Sequence, residues 1–394
     1  MRIYAIRGLV MGSLSLILPM VAQQYLKANG MQSSPAASAT AENPERGHAA
    51  SSKDTVSVSA TKSNDESGSK KPEDSSSARL DPKSGKPLYE TIRENWASLS
   101  VKGSELKPES PLVAQVDQEE KFTRTLVSLK WRPGDPIDVY VVVPKGVKKP
   151  AAVLYLYGYE EDTDRFKDDR WCERVTSGGV AAVGFVSALT GHRFHDRPMK
   201  QWFVSELQES LGSTVHDVKF ILDYLDSRGD IDMNRIGMFG QGSGGAIAVL
   251  AAAADPRIKA IDLLEPWGDW PVWLAKSSVV QEDPNKDSYT TKDFLKKVAP
   301  LDPVKWLPKL KAVQIRMQQM ADSDSNPTDC QDRLKAAAPK LAKVDRFDSA
   351  AQMTTVEGGG RLFDWIKDQM NKLPSGAVPK STVAKSAGTR VAQP

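Results

Sequence analysis

Two residue types that carry much of protein chemistry are scarce in this sequence. The 394 residues include only two cysteines and four histidines, and the histidines are His48, His192, His195 and His216. Zinc and related metals need several such ligands, with carboxylates, at short spacing, and no such spacing occurs. We therefore expect neither a metal site nor another cofactor.

An excess of charge of one sign is also missing. The chain has 53 basic and 50 acidic residues, whereas proteins that bind nucleic acid or anionic surfaces usually concentrate basic charge. The sequence predicts no nucleic-acid partner. The function must be sought in a specific site.

A hydrophobic run of membrane-spanning length is absent as well. The apolar run Gly8–Ala22 follows the basic start Met1–Arg7, and it is shorter than the roughly 20 residues that a spanning helix needs. This layout is typical of a secretory signal. Residues 1–27 are predicted to be a signal peptide or, if uncleaved, an N-terminal anchor and the only membrane contact. We expect an exported protein, periplasmic or extracellular.

Large aliphatic residues are sparse towards both ends of the chain. In residues 28–87, Val56, Val58 and Leu80 stand almost alone among Ser, Ala, Lys, Asp, Glu, Gly and Pro, and residues 374–394 are similar. Such segments bury too little apolar surface to offset their chain entropy. They are predicted to be a disordered linker and tail, which leaves residues 88–373 as the folded domain.

Strand and helix patterns alternate through that domain. The predicted strands are Thr125–Trp131, Ile137–Val143, Ala151–Tyr157, Val180–Val186, Ile236–Phe239, Ile258–Leu264, Ala312–Met317 and Met353–Glu357. The predicted helices are Leu88–Leu99, Asp164–Val175, Val204–Leu225, one that begins near Ser243 and one that begins near Leu362.

The segment Arg235–Ala246, with the sequence RIGMFGQGSGGA, predicts a strand, a sharp turn and a helix. This layout resembles the nucleophile elbow of α/β-hydrolases, especially the dienelactone-hydrolase, acetyl-esterase and prolyl-peptidase branches. The resemblance covers roughly residues 120–372. It implies an α/β-hydrolase fold with a mostly parallel eight-stranded sheet, helices on both faces and a small cap insertion after strand 6.

The nucleophile position of this motif holds no reactive side chain. In the resembling families the turn reads Gly-x-Ser-x-Gly-Gly, and aligning its glycines with Gly240, Gly244 and Gly245 places the nucleophile at Gly242. Ser243 comes one place late. It is interpreted as a helix-start residue whose hydroxyl satisfies a backbone N–H.

The other two members of the triad are assigned from the same resemblance. Asp322 follows the predicted seventh strand at the spacing of the catalytic acid, with Asp324 as a rival. Arg361 stands after Gly358–Gly360, where the family places its histidine, and no histidine lies beyond residue 216. Because a guanidinium matches a carboxylate, we expect an Asp322–Arg361 ion pair.

These losses favour a protein that binds and does not cleave, although two other functions stay open. A working serine ester hydrolase would use Ser243 as nucleophile, His195 or His192 as base, and Asp322 or Asp269 as the orienting acid. A purely structural adaptor on a long tether is the third interpretation. His216 is interpreted as a residue on the flank of its helix.

Candidate binding residues lie around the elbow and in the predicted cap. Tryptophans suit sugar rings or aromatic acyl groups, but they also pack on one another in a hydrophobic cap, and the sequence supports both interpretations. The ligand is expected to be a carbohydrate, another small molecule such as an ester, or an envelope protein. The candidates are Tyr157, Gly158, Tyr159, Gln241, Trp267 and Trp270, with Trp273 nearby.

Cys172 and Cys330 are the last chemical candidates. The resemblance places Cys172 on the helix after the third strand and Cys330 on the helix after the seventh. In this fold those helices cover opposite faces of the sheet. Two unpaired cysteines are therefore expected, although the sequence alone does not decide pairing.

Overall fold

A computed structural model describes residues 93–159, 161–190, 193, 203–358 and 361–375. The predicted leader, the linker and nearly all of the tail lie outside these residues, as do His48, His192 and His195. Within them, no helix has both the length and the apolar character needed to cross a bilayer.

A nine-stranded sheet forms the centre of the domain. Its strands are β1 Leu112–Gln118, β2 Phe122–Leu129, β3 Ile137–Pro144, β4 Ala152–Leu156, β5 Ala181–Gly184, β6 Ile236–Gln241, β7 Ile258–Leu264, β8 Gln314–Met320 and β9 Lys343–Phe347. The spatial order is β1-β2-β3-β5-β4-β6-β7-β8-β9. The strands from β1 through β3 to β5 pair antiparallel, and the remaining neighbours pair parallel.

Helices cover both faces of this sheet. They are α1 Asp169–Thr176, α2 Leu207–Arg228, α3 Ser243–Ala254, α4 Trp270–Lys276, α5 Ser278–Gln281, α6 Lys286–Tyr289, α7 Lys292–Val298, α8 Pro303–Trp306, α9 Thr328–Ala337, α10 Ala350–Glu357 and α11 Asp364–Lys372, with short 3₁₀ turns at Asp164–Lys167, Ala299–Leu301, Leu307–Lys309 and Arg361–Phe363. One core cluster includes side chains of α2, α3 and the cap. The second includes side chains of α1 and α11.

The predicted fold class is confirmed, with one additional strand. Without β1, the sheet has eight strands, the number that was predicted, and seven of them lie where they were predicted. Helices α4–α8 form the cap insertion after the sixth of these strands. β4 and β5 are buried along their whole length, as expected for central parallel strands covered on both faces. β1 is an edge strand that pairs only with β2.

Three predicted elements were wrong. Met353–Glu357 is helical and belongs to α10, while the last strand is Lys343–Phe347. Residues 93–99 of the helix expected at Leu88–Leu99 are not helical. The helix expected at Asp164–Val175 is broken at Asp168, whose side chain accepts a hydrogen bond from the N–H of Trp171 and begins α1 there.

Candidate active site

The predicted elbow is present between β6 and α3. Gly242 stands at its apex with φ 55° and ψ −116°, in a region of the backbone map that side chains disfavour. Its N–H donates to Leu264 O at 2.9 Å, and its carbonyl accepts from Trp267 N–H at 3.1 Å. The position from which the resembling enzymes present their nucleophile is therefore occupied by a glycine, which has no side chain.

Close packing of the backbone explains why glycines surround this turn. A Cβ on Gly244 would lie 2.1 Å from the carbonyl oxygen of Leu156, and one on Gly240 would lie 2.3 Å from that of Gly244. A side chain at position 244 would push α3 away from β4, and one at position 240 would push it away from β6. The glycine pattern thus keeps the elbow sharp even though the apex carries no nucleophile.

Ser243 is the first residue of α3 and is fully buried. Its hydroxyl oxygen accepts a hydrogen bond from the backbone N–H of Tyr159 at 2.9 Å. Ser243 therefore satisfies a backbone donor, as a helix-start residue was expected to do, although the donor belongs to the loop after β4 and not to its own helix.

This hydrogen bond leads to a testable prediction. Ser243→Ala removes the acceptor of a partly buried N–H, so it should lower the free energy of unfolding by about 1 to 3 kcal/mol. Urea denaturation followed by circular dichroism measures the loss. The matched control is Ser227→Ala, because the exposed Ser227 hydroxyl bonds only Tyr224 O, and its effect should stay within about 0.5 kcal/mol. Equal effects for the two variants would contradict the assigned role.

The loop after β4 carries the first of the candidate binding residues. Tyr157 is buried, and the Arg165 guanidinium carbon lies 3.4 Å above its ring centre. Tyr159 is half-buried and stacks on Phe203 with ring centres 5.2 Å apart. Gly158 and Gln241 are also partly exposed. Gly158, Tyr159 and Gln241 are therefore accessible beside the elbow, and Tyr157 is not.

The cap tryptophans pack mainly on one another. The Trp267 and Trp273 ring centres are 4.4 Å apart, and those of Trp270 and Trp273 are 5.8 Å apart. Trp270 is 1% exposed and donates from Nε1 to Leu301 O, so it offers no surface to a ligand. Trp267 is 5% exposed, and a Cβ on Gly242 would lie 3.4 Å from its indole. The packed-cap interpretation fits these contacts, with Trp267 lying against the apex of the elbow.

Asp322 and Arg361 do not form the expected ion pair. Asp322 is exposed in the turn after β8, whereas the Arg361 guanidinium donates to the carbonyl oxygens of Thr355 at 2.9 Å and Gly358 at 3.2 Å. The assignment of Arg361 depended on the wrong last strand, since Asp348 and not Arg361 directly follows β9. The observation that no histidine follows residue 216 does not depend on that strand.

The alternative triad finds little support in the described residues. Asp269 precedes α4 and forms an ion pair with Arg333 at 3.0 Å, and its backbone N–H donates to Asp302. His192 and His195 lie outside the described residues. The Ser243 hydroxyl is engaged as described above.

Sequence reasoning missed one titratable residue beside the elbow, Glu265. It directly follows β7, has φ 49° and is 5% exposed. Burial raises the pKa of its carboxyl to about 7; Asp322 acts in the same direction, while Ser323, the N–H of Met320 and Arg346 oppose the shift. A single glutamate after a strand matches no motif, and only its burial distinguishes it.

A buried ion cluster lies between the β2–β3 turn, α2 and the N-terminal segment. Its members are Glu94, Arg132, Asp135, Arg193, His216 and Asp217. Arg193 holds both oxygens of Asp135, at 3.0 and 2.7 Å, and Oδ2 of Asp217 at 2.9 Å. Arg132 contacts the other oxygen of Asp217 at 2.5 Å and forms a bidentate pair with Glu94. Opposite charges therefore alternate through the cluster.

His216 belongs to this cluster and lies on its helix, as was predicted, but its burial was not foreseen. The ring is buried, with Nδ1 2.5 Å from Glu94 Oε1 and Nε2 2.8 Å from Ser98 O. The ring is thus held at both of its nitrogens. Arg132 and His216 hold the pKa of Glu94 at about 2 despite its burial. The only histidine among the described residues therefore has a structural role.

The two cysteines are unpaired, as expected. Both are buried, and they lie in different core clusters, Cys172 on α1 and Cys330 on α9. Burial raises the pKa of Cys172 to about 11 and that of Cys330 to about 12. In the described ranges no group of three or more His, Cys, Asp or Glu residues could hold a metal ion.

The strand order and the elbow define the class: this protein has the α/β-hydrolase fold. Among solved structures it is similar to an acetyl xylan esterase from Paenibacillus sp. R4, with a TM-score of 0.55, 17% identity and coverage of 66% of this chain and 89% of that one. It is also similar to acetyl xylan esterase 1 from Thermoanaerobacterium sp. JW/SL YS485, with a TM-score of 0.51, 14% identity and coverage of 67% and 88%.

Sequence comparison also finds a relative that is named as a hydrolase. Over 163 residues the chain is 30% identical to the protein named "Putative hydrolase YtaP" of Bacillus subtilis (strain 168). The match covers 36% of this chain and 52% of that protein, so it spans about half of the relative's length. No family model matches the chain. The relatives named here are therefore hydrolases or esterases by name, and the two solved structures share the fold of this chain.

Proposed function

We propose that this chain uses the α/β-hydrolase scaffold to bind a ligand and does not hydrolyse it. The observation that carries the proposal is Gly242 at the apex of the elbow, with φ 55° and ψ −116°. Acyl transfer needs a hydroxyl or thiol at that point, activated by a neighbouring base. A glycine supplies neither the nucleophile nor a proton to transfer.

The groups around the apex support the same proposal. Tyr159 N–H lies in the loop that helps to build the oxyanion hole of the resembling enzymes, and here it donates to Ser243. Among the described residues, the one histidine is held in the ion cluster. A nucleophile at the apex and a histidine base are thus both missing from the described residues around the elbow.

A carbohydrate or another small molecule is the proposed ligand. Tyr159 and Gln241 are both partly exposed beside the elbow, and an aromatic ring and an amide are groups that suit contact with a sugar ring and hydrogen bonding to it. Two structural relatives are named acetyl xylan esterases, so acetylated xylo-oligosaccharide is the first probe. An envelope protein is the alternative partner.

We also propose that the protein is exported, because residues 1–27 have the pattern of a secretory signal. Cell fractionation tests this part of the proposal.

The activity test compares the full chain with its Ser243→Ala variant. We expect no p-nitrophenyl acetate hydrolysis above the buffer rate and no labelling by a fluorophosphonate probe, for either protein. Labelling that Ser243→Ala abolishes would show a working hydrolase with Ser243, His195 or His192, and Asp322 or Asp269. Labelling that survives in the variant would reveal another nucleophile and also overturn the proposal.

The binding test uses acetylated and deacetylated xylo-oligosaccharides in titration calorimetry. We expect binding by the wild type and weaker binding by Gln241→Ala. The matched control is Gln281→Ala, because Gln281 is exposed at the end of α5. If neither oligosaccharide gives a heat of binding, this ligand class is excluded. If the two variants lower the affinity equally, the elbow is excluded as the binding site.

A further inference from the structure

Glu265 connects the elbow region to the cap. It is one of four described residues other than glycine with positive φ, a conformation that surrounding contacts must maintain. Its Oε1 accepts the N–H of Met320 at 2.6 Å. Oε2 is buried and has no hydrogen bond of ordinary geometry, although the Ser323 hydroxyl lies near the carboxyl. The carboxyl is therefore incompletely satisfied and points towards the end of β8.

The residues that follow β8, here named the Asp322 loop (residues 321–326), link Glu265 to the cap. Ser325 O accepts hydrogen bonds from Trp273 Nε1 at 2.9 Å and from Ser277 Oγ at 2.7 Å. Asp324 O accepts from Ser278 N at 3.0 Å. A displacement of the Asp322 loop would therefore be transmitted directly to helices α4 and α5.

The charges that face Glu265 have opposite signs. Asp322 lies on the loop and Arg346 on β9, with the Ser323 hydroxyl also close. An ionised Glu265 would place a second carboxylate beside Asp322 in a poorly solvated site, which is costly unless water or new donors reach it. The protonated form carries no such cost, so the closed loop favours the neutral acid.

We propose that Glu265 is a proton-controlled switch: when it loses its proton, the Asp322 loop moves to hydrate the carboxylate, and this movement loosens the contacts of the loop with α4 and α5. The transition falls near neutral pH, because burial raises the pKa of Glu265 to about 7. The cap is held closed below that pH. The switch goes beyond the proposed binding function and does not depend on it.

The indole N–H of Trp273 reports this switch directly. In the full chain labelled with ¹⁵N-tryptophan, its resonance, assigned with Trp273→Phe, should shift with a midpoint near pH 7. Glu265→Gln keeps the size of the side chain and an acceptor for Met320 N–H but cannot ionise, so the shift should disappear. Asp322→Asn removes the neighbouring negative charge and should move the midpoint to lower pH. If Glu265 had only a structural role, the Trp273 resonance would not titrate, and Asp322→Asn would have no midpoint to shift.

Histidines titrate in the same range, so the controls must separate them. His216→Gln should leave the Trp273 titration in place. The proposal fails if the Trp273 resonance does not titrate between pH 5 and 9, or if the titration persists in Glu265→Gln. If Glu265→Gln does not fold, the Asp322→Asn midpoint still decides, because an unchanged midpoint contradicts the repulsion between Glu265 and Asp322 on which the proposed movement of the loop depends.

Discussion

Replacing Arg193 with methionine should lower the free energy of unfolding by about 3 to 5 kcal/mol, the usual cost of removing one partner from a buried ion pair. The guanidinium is fully buried and bonds Asp135, Asp217 and Val186 O. Methionine fills similar volume but leaves the Asp135 carboxylate without its nearest cation. Urea denaturation at pH 7 measures the loss.

Two further variants distinguish the lost charge from lost packing. Arg193→Met with Asp135→Leu removes the cation and one of its two carboxylates, while Asp217 keeps its contact with Arg132. This double variant should recover at least half of the stability, since an apolar pair often replaces a buried ion pair at little cost. Lys121→Met breaks the exposed pair with Glu173 and should be indistinguishable from the wild type. If the double variant is less stable than Arg193→Met, the cost is one of packing and our account of the cluster is wrong.

Glu265→Gln should stabilise the protein at pH 8 by about 3 kcal/mol relative to the wild type, with a much smaller difference at pH 4. The pKa of Glu265 is about 7 in the fold, against an ordinary value of 4.5. Because the folded state binds this proton more tightly than the unfolded state, the contribution of Glu265 to stability is fully present below pH 4.5 and is lost as the pH rises to 7. At 1.36 kcal/mol for each unit, the shift corresponds to about 3 kcal/mol.

Chemical denaturation at both pH values tests this prediction. Glutamine keeps the hydrogen bond to Met320 but does not ionise, so the difference between variant and wild type should grow with pH. Glu282→Gln, at an exposed position after α5, is the matched control and should follow the wild type at both pH values. A Glu265→Gln profile parallel to the wild-type profile would show that Glu265 does not titrate in this range.

Periodicity predicted the central strands well because those strands are buried on both faces. Ala151–Tyr157 and Val180–Val186 are continuous apolar runs, and β4 and β5 lie within them. The edge strands lack that pattern. β1 is exposed along most of its length, and β9 contains Lys343, Asp345 and Arg346 among its five residues.

Local contacts decided the element that was predicted least well. Met353–Glu357 has the β-branched residues of a strand, but Ser349 accepts a hydrogen bond from Gln352 N and begins a helix just before it. Met353 and Glu357, four residues apart, then lie buried in α10. The error moved the expected histidine position to Arg361, and with it the expected ion pair.

The amino-acid sequence by itself determined which chemical groups are available near the elbow. The glycine at position 242 and the lack of any histidine beyond residue 216 are facts of composition and order, and the short-range pattern of glycines and apolar residues specified the turn that holds Gly242. Tertiary structure alone decided the partners of Ser243, the carbonyl oxygens bound by Arg361, the burial of Glu265 and the ion cluster around Arg193. Burial and hydrogen bonding at those positions depend on residues from distant strands and helices, and no local pattern in the sequence records them.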